Sequence, residues 1–283
     1  FKDCTSLTAA PELPATEMKY HCYYGMFSGC TNLNHVKVAF TEWTDGSTYI
    51  PENWLDGVAS TGTFVCPDAL DKTQIGASYI PEGWTPVFEA KANKDPESEN
   101  YYSTFYSRTY DFRVPESVTA YTGAVDGSVL RLTPVADGFI PAGEAVILRL
   151  TSADNTATKQ QFALTATTTS ATRSSSNALK GTDETTTLSA NQYALSLGGN
   201  GIGFYLWEGK QIGANKAYLT LDDNEGENAK AFTFQFDDGE ATAIEQPTIS
   251  GKQSSDTYNL NGVRVDENYK GIVIKNGKKV LQK

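Results

Sequence analysis

From residue 101 onward, apolar and polar residues alternate at a period of two, in short runs broken by Gly, Pro, Asn and Asp. The runs are "YSTFYSRTYDFRV", "VTAYTGAV", "VLRLTPV", "AVILRL", "KQQFALT", "QYALSL", "IGFYLWE", "KAYLTL" and "AFTFQF". A two-residue period places one side of each run against a core and the other toward water, which predicts strands. Nine such runs with almost no 3.6-residue period predict an antiparallel sandwich or barrel. The Thr- and Ser-rich stretch 165–187 predicts a long surface loop.

The first 88 residues follow a different rhythm. Phe1, Cys4, Thr5 and Leu7 recur as Phe27, Cys30, Thr31 and Leu33, an interval of 26. "YIPENW" at 49–54 returns as "YIPEGW" at 79–84, an interval of 30. A fixed period of this length marks a solenoid, whose coils bury their inner residues only by stacking on neighbours. Phe1, Cys4, Leu7, Phe27, Cys30 and Leu33 are therefore the expected repeat core, with Leu13, Met18, Val36 and Val38 extending it. The Trp, glycines and Pro of "WLDGVASTGTFVCP" predict a cap. A polar stretch, "EAKANKDPESENYY", sets a boundary after residue 88, and the linker "QPTISGKQSSD" sets another. The expected organisation is residues 1–88 as solenoid end and cap, 89–247 as β domain, and 248–283 as linker and small hairpin tail.

Composition narrows the setting. The net charge of −11 argues against nucleic acid, which normally meets a basic face that displaces counterions. Residues 222–245 hold eight acidic groups and one Lys, whereas 250–283 hold seven basic and three acidic groups. That tail is expected to present a solvated basic face, or to dock on the acidic body or on an anionic surface. No run is apolar over the ~18 residues a transmembrane helix needs.

The residues "CTSLTAAPELPATEMKYHCYYGMFSGCTNL", followed by "WLDGVASTGTFVCP" and "IPEGWTPV", resemble the BspA-like leucine-rich-repeat family of Bacteroides-type surface proteins. The likeness covers residues 1 to 88. It implies a short curved solenoid at the cell surface with a role in adhesion to host or bacterial partners. Two visible coils, against the three or more a stable array needs, make the stretch an expected C-terminal end of a longer array. "LTPVADGFIPAGEAVIL", "NALKGT", "GIGFYLWEGKQIGANKAYL" and "FTFQFDDGEATAIE" resemble a β module found beside such repeats, which implies a spacer or binding module without catalytic chemistry. "TYNLNGVRVDENYKGIVIKNGKKVLQK" is similar to C-terminal tails of exported proteins of the Bacteroidetes, including type IX sorting domains. An extra strand pair for the middle module explains it equally well.

Candidate chemistry is sparse. Cys4, Cys22, Cys30 and Cys66 admit disulfides in an exported protein, yet Cys4 and Cys30 hold a place that suits small buried thiols. No spacing matches a structural zinc site, and His21 beside Cys22 points elsewhere in extended chain. "GGNGIG" leads into "FYLW" rather than a helix and predicts a hairpin. "LDDNEGEN" offers Asp222, Asn224 and Glu227 to a cation, with spacing wrong for a calcium loop. No metal, cofactor or catalytic residue is assigned. Tyr101, Tyr102 and Tyr106 are the candidate ligand-binding aromatics, because rings stack on sugars, although alternation also sends such residues into the core. Two readings follow: a non-catalytic surface protein whose repeat adheres to a protein partner while the β module acts as stalk, or a carbohydrate-binding module using aromatics of the β domain.

Overall fold

A computed structural model describes residues 1–19, 21–44, 46, 50–151, 156–167, 172–199, 201–221 and 231–237, together with the backbone of four strands beyond residue 256. The fold is mainly β, and the described residues contain no α-helix. The chain forms two compact units, Phe1–Ala243 and Ile244–Lys283.

The first unit opens with three strands, β1 (His35–Lys37), β2 (Gly62–Val65) and β3 (Trp84–Lys94). They pair in parallel, His35 opposite Thr63 and Gly62 opposite Trp84. The bridge from Ala9 to His35 adds an earlier rung. On the opposite edge, turns stack through backbone bonds from Asp3 N to Ser28 O, Phe27 N to Trp54 O, Gly29 N to Asp56 O, and Leu55 N to Ala77 O. The twin "PExW" sequences are twin turns, in which Trp54 N donates to Pro51 O and Trp84 N to Pro81 O. Their third residues, Asn53 and Gly83, sit at φ 52° and 80°, the left-handed region that Asn and Gly tolerate. A Cβ at Gly83 would stand 2.4 Å from Ser60 O, so that turn also needs glycine for space. Aromatic rings fill the inside: Phe27 lies 6.4 Å from Trp54, which meets Phe64 edge-on at 6.1 Å.

Residues 54–67, expected to cap the repeat, instead supply a further turn and strand β2, because Trp54 and Phe64 are fully buried inside the stack. The composition break after residue 88 falls inside β3. That strand takes β2 as a parallel partner over Trp84–Val87 and an antiparallel partner over Val87–Asn93, so one ladder runs through both regions.

The remaining strands of this unit are β4 (Asn100–Phe105), β5 (Asp111–Arg113), β6 (Val118–Asp126), β7 (Val129–Pro134), β8 (Phe139–Ile140), β9 (Val146–Thr151) and β10 (Lys159–Thr167). They continue with β11 (Leu179–Thr182), β12 (Thr186–Thr187), β13 (Gln192–Gly198), β14 (Gly201–Leu206), β15 (Gln211–Ile212), β16 (Lys216–Thr220) and β17 (Ala231–Phe236). All nine expected runs contain strands. The main sheet is mixed rather than purely antiparallel, since β17 pairs in parallel with β7. The stretch 165–187 is more than a loop: it contains β11, which pairs with β16, and β12, which pairs with β15.

The sheet encloses two apolar clusters, which gives a sandwich-like middle region. Tyr102, Tyr121, Ile147, Phe204, Phe232 and Phe234 form one; Tyr101, Phe105, Val118, Leu148, Phe112 and Leu164 form the other. Successive residues of β4 thus enter different clusters, and Val146, Ile147 and Leu148 do the same in β9. A strand covered on both faces loses the polar half of its alternation, as in "AVILRL". In the second unit, strands β18 (Thr257–Asn259), β19 (Arg264–Val265), β20 (Gly271–Lys275) and β21 (Lys278–Gln282) form an antiparallel sheet in the order β19-β18-β20-β21.

Candidate functional site

Two surfaces offer themselves. The first is the edge of stacked turns at 1–7, 21–33, 51–57 and 74–80. Five large apolar side chains are well exposed among the described residues, and Phe1, Tyr24 and Ile75, at 55%, 58% and 50%, all lie on these turns. Rung-to-rung bonds such as Gly25 N to Glu52 O hold the turns in register. His21 stacks on Tyr24 at 5.5 Å and widens the flat patch. A rigid edge with exposed rings suits protein contact.

The expected repeat core divides at this edge. Phe27, Cys30 and Leu33 are fully buried, as a repeat requires. Phe1 and Cys4 are exposed and Leu7 is half-buried, which corrects their placement in the core. The second set has a rung on each side, whereas the described residues cover the first set on one side only. Phe1 still stacks on Phe27 at 5.6 Å, and Cys30 Sγ donates to Phe1 O at 2.9 Å. All four cysteines are free, and burial pushes the Cys66 thiol up to about 11.

The second surface is a polar cleft of about 380 Å³ in the β domain. Its floor is the turn between β8 and β9. Glu144 N donates to Pro141 O, and Gly143 takes φ 79° at the third position of that turn. A Cβ on Gly143 would stand 2.8 Å from Arg173 Nη1, so glycine lets the Arg173 side chain pass across the turn. Glu144 is buried, and its carboxylate accepts from Ser174 N at 2.6 Å and from Asn177 Nδ2. Asn177 also donates to Ala145 O at 2.7 Å and accepts from Gly123 N at 3.1 Å. One buried carboxylate therefore fixes residues 174–177 as the cleft's wall. Opposite stand β11 and β16, where Lys180 pairs across the ladder with Tyr218. The Tyr106 ring lies within 1.9 Å of where a Cβ of Gly181 would be, so Gly181 is what admits that ring.

The three candidate aromatics therefore separate. Tyr101 and Tyr102 have no exposed surface, which corrects their assignment to a ligand platform: each fills one of the two clusters flanking β4. Tyr101 Oη donates to Ala157 O. Tyr106 is half-buried and lines the cleft. Sequence reasoning missed Glu144, Arg173, Asn177, Lys180 and Tyr218. "KAYLTL" placed Tyr218 on a strand, but pairing of 179–182 with 216–219 brings together segments that sequence alone keeps apart.

Beside the cleft lies a buried polar knot. Lys72 Nζ donates to the carbonyls of Pro67, Asp68 and Leu70 at 3.2, 2.6 and 3.2 Å, and lies 4.2 Å from the Tyr110 ring centroid. It lies 3.6 Å from Asp68 Oδ1, an ion pair too long for a hydrogen bond. Asn215 Nδ2 donates to Asp68 Oδ2 and to Tyr106 O, both at 3.1 Å. Burial pushes the Asp68 carboxyl up and the Lys72 ammonium down, against their mutual attraction. The knot ties segment 67–72 to β-domain residues Tyr106, Tyr110 and Asn215.

Among the described residues no three His, Cys, Asp or Glu side chains group as metal ligands. No described helix is long and apolar enough to cross a membrane. The segment of Asp222, Asn224 and Glu227 lies outside the described residues, whereas the glycines Gly198 and Gly201 of "GGNGIG" stand opposite each other in the β13–β14 hairpin. Comparison with protein-family models, curated proteins and solved structures finds no match for this chain.

Proposed function

We propose that the chain is a non-catalytic interaction protein displayed at the cell surface or released from it, with residues 1–88 forming a leucine-rich-repeat solenoid of the BspA-like kind. The stacked-turn edge contacts a protein partner, and the β domain carries that edge away from the surface as a stalk. The observation that carries this reading is the placement of Phe1, Tyr24 and Ile75 along one register-locked edge. Parallel pairing of β1, β2 and β3, with its repeated turns, supports the solenoid.

The test is binding of the chain to an array of extracellular-matrix proteins, alongside a Tyr24→Ser, Ile75→Ser variant. Both side chains are at least half exposed, so the variant keeps the wild-type melting curve. Binding that falls at least tenfold supports the reading. Undiminished binding by the variant, or no binding by wild type, sinks it. The cleft favours a second reading, saccharide binding by the β domain, because tyrosines line a polar depression of suitable size.

A further inference from the structure

Arg173 and Lys180 are both exposed, both line the cleft, and neither has a carboxylate partner among the described residues. Several cations elsewhere in the described region are engaged. Lys19, Lys37, Lys72, Arg108 and Arg131 form ion pairs, while Arg113 and Arg149 lie over aromatic rings. Two cations without a carboxylate partner among the described residues thus face one depression, on a chain of net charge −11.

The cleft's carboxylate offsets only one of them, so the lining keeps a formal charge of +1. Glu144 is buried, and its two oxygens are occupied by donors from Ser174 and Asn177. Its role is to hold the wall in place. Lys216, two residues before Tyr218 on β16, donates to Ser103 Oγ at 3.3 Å and Thr104 O at 3.5 Å and is not among the lining residues of the cleft. Exposed negative charges elsewhere on the chain are screened beyond a Debye length of ~8 Å at physiological salt, so Arg173 and Lys180, less the charge of Glu144, set the field in the cleft.

Tyr106 and Tyr218 supply ring surface, and no described residue hydrogen-bonds to either phenol. Ring faces with flanking polar groups take the flat face of a pyranose, and a guanidinium takes a planar carboxylate or a sulfate through paired donors. We infer that the cleft binds an anionic saccharide, with one sugar ring against the tyrosines and its acid group between Arg173 and Lys180. This rests on the saccharide reading of the cleft, and it adds the ligand's charge.

The experiment is calorimetric titration of the whole chain with three tetrasaccharides: hyaluronan carrying carboxylates, a chondroitin sulfate carrying sulfates as well, and neutral chitotetraose. Arg173→Ala, Lys180→Ala and Tyr218→Ala are titrated in parallel, with thermal melts as folding controls. The proposal expects either acidic ligand to bind at least tenfold tighter than chitotetraose, with each cation variant losing about tenfold and weakening of the wild-type affinity as salt rises. Preference for hyaluronan identifies a carboxylate as the recognised group, and preference for chondroitin sulfate identifies a sulfate. Equal binding of chitotetraose keeps the saccharide reading and overturns the anionic one. Acidic binding that survives Arg173→Ala and Lys180→Ala overturns this site. Silence toward all three ligands overturns both readings.

Discussion

Replacing Lys72 by Met deletes one ammonium from the buried knot while keeping most of the side chain's volume. Three carbonyls at 3.2, 2.6 and 3.2 Å lose their donor, and Asp68, 4% exposed, loses the cation 3.6 Å away. Breaking one partner of a buried pair costs roughly 3–5 kcal/mol, because the remaining charge is uncompensated. At ~2–4 °C per kcal/mol for a chain of this size, the melting temperature falls by about 10 °C near neutral pH.

The pH dependence follows from Asp68. Its carboxyl is already pushed up by burial, and removing the Lys72 charge pushes it higher. A raised acid binds its proton more tightly when folded. Its favourable contribution is therefore complete below the unfolded value of about 3.9 and is lost as pH rises through the folded value. Protonation relieves the variant, so its deficit at about pH 5 is smaller than at about pH 7.5. Calorimetric melts of both proteins at the two pH values provide the assay. A drop under about 2 °C at the higher pH, or an equal drop at both, refutes the argument that an uncompensated Asp68 dominates.

Further outcomes are expected. Gly62→Ala places a Cβ 2.6 Å from the Trp84 ring and 2.7 Å from Asn34 O, so urea unfolding should show a loss of roughly 1–3 kcal/mol; an unchanged midpoint counts against the tight parallel rung. Native alkylation near neutral pH, followed by peptide mass spectrometry, should label exposed Cys4 well before Cys66, whose thiol burial holds at about 11; equal labelling would contradict that burial. Lys37→Ala removes the bond to Glu89 at 2.7 Å, yet both side chains are about a third exposed. Equilibrium unfolding should therefore shift by under about 1 kcal/mol, and a larger shift would mean that this pair holds the first rungs to β3.

The sequence carried the strands of the β domain well, because each buries at least one face and alternation reports that face. Alternation does not report whether the other face is covered as well. Tyr101 and Tyr102 were open to a surface role for that reason, until pairing of β4 with β9 set a cluster on each side. The polar stretch after residue 88 suggested a boundary, but β3 passes through its first part as a shared strand, and its alternating exposed residues account for the polarity. Phe27, Cys30 and Leu33 were legible from the repeat, whereas the exposure of Phe1 and Cys4 depends on what lies above them. The cleft was not legible. Glu144, Arg173 and Tyr218 are separated by long stretches of chain and meet only through the β11–β16 ladder and the Gly143 turn.

On the proposed reading, the stacked turns make the partner contact. Hydrogen exchange on the chain, free and saturated with a matrix protein it binds, tests this most directly. Slowed exchange is expected at 21–29, 51–57 and 74–80, with residues 172–181 and 216–220 unchanged. Protection confined to those last two segments would contradict it and place the contact in the cleft.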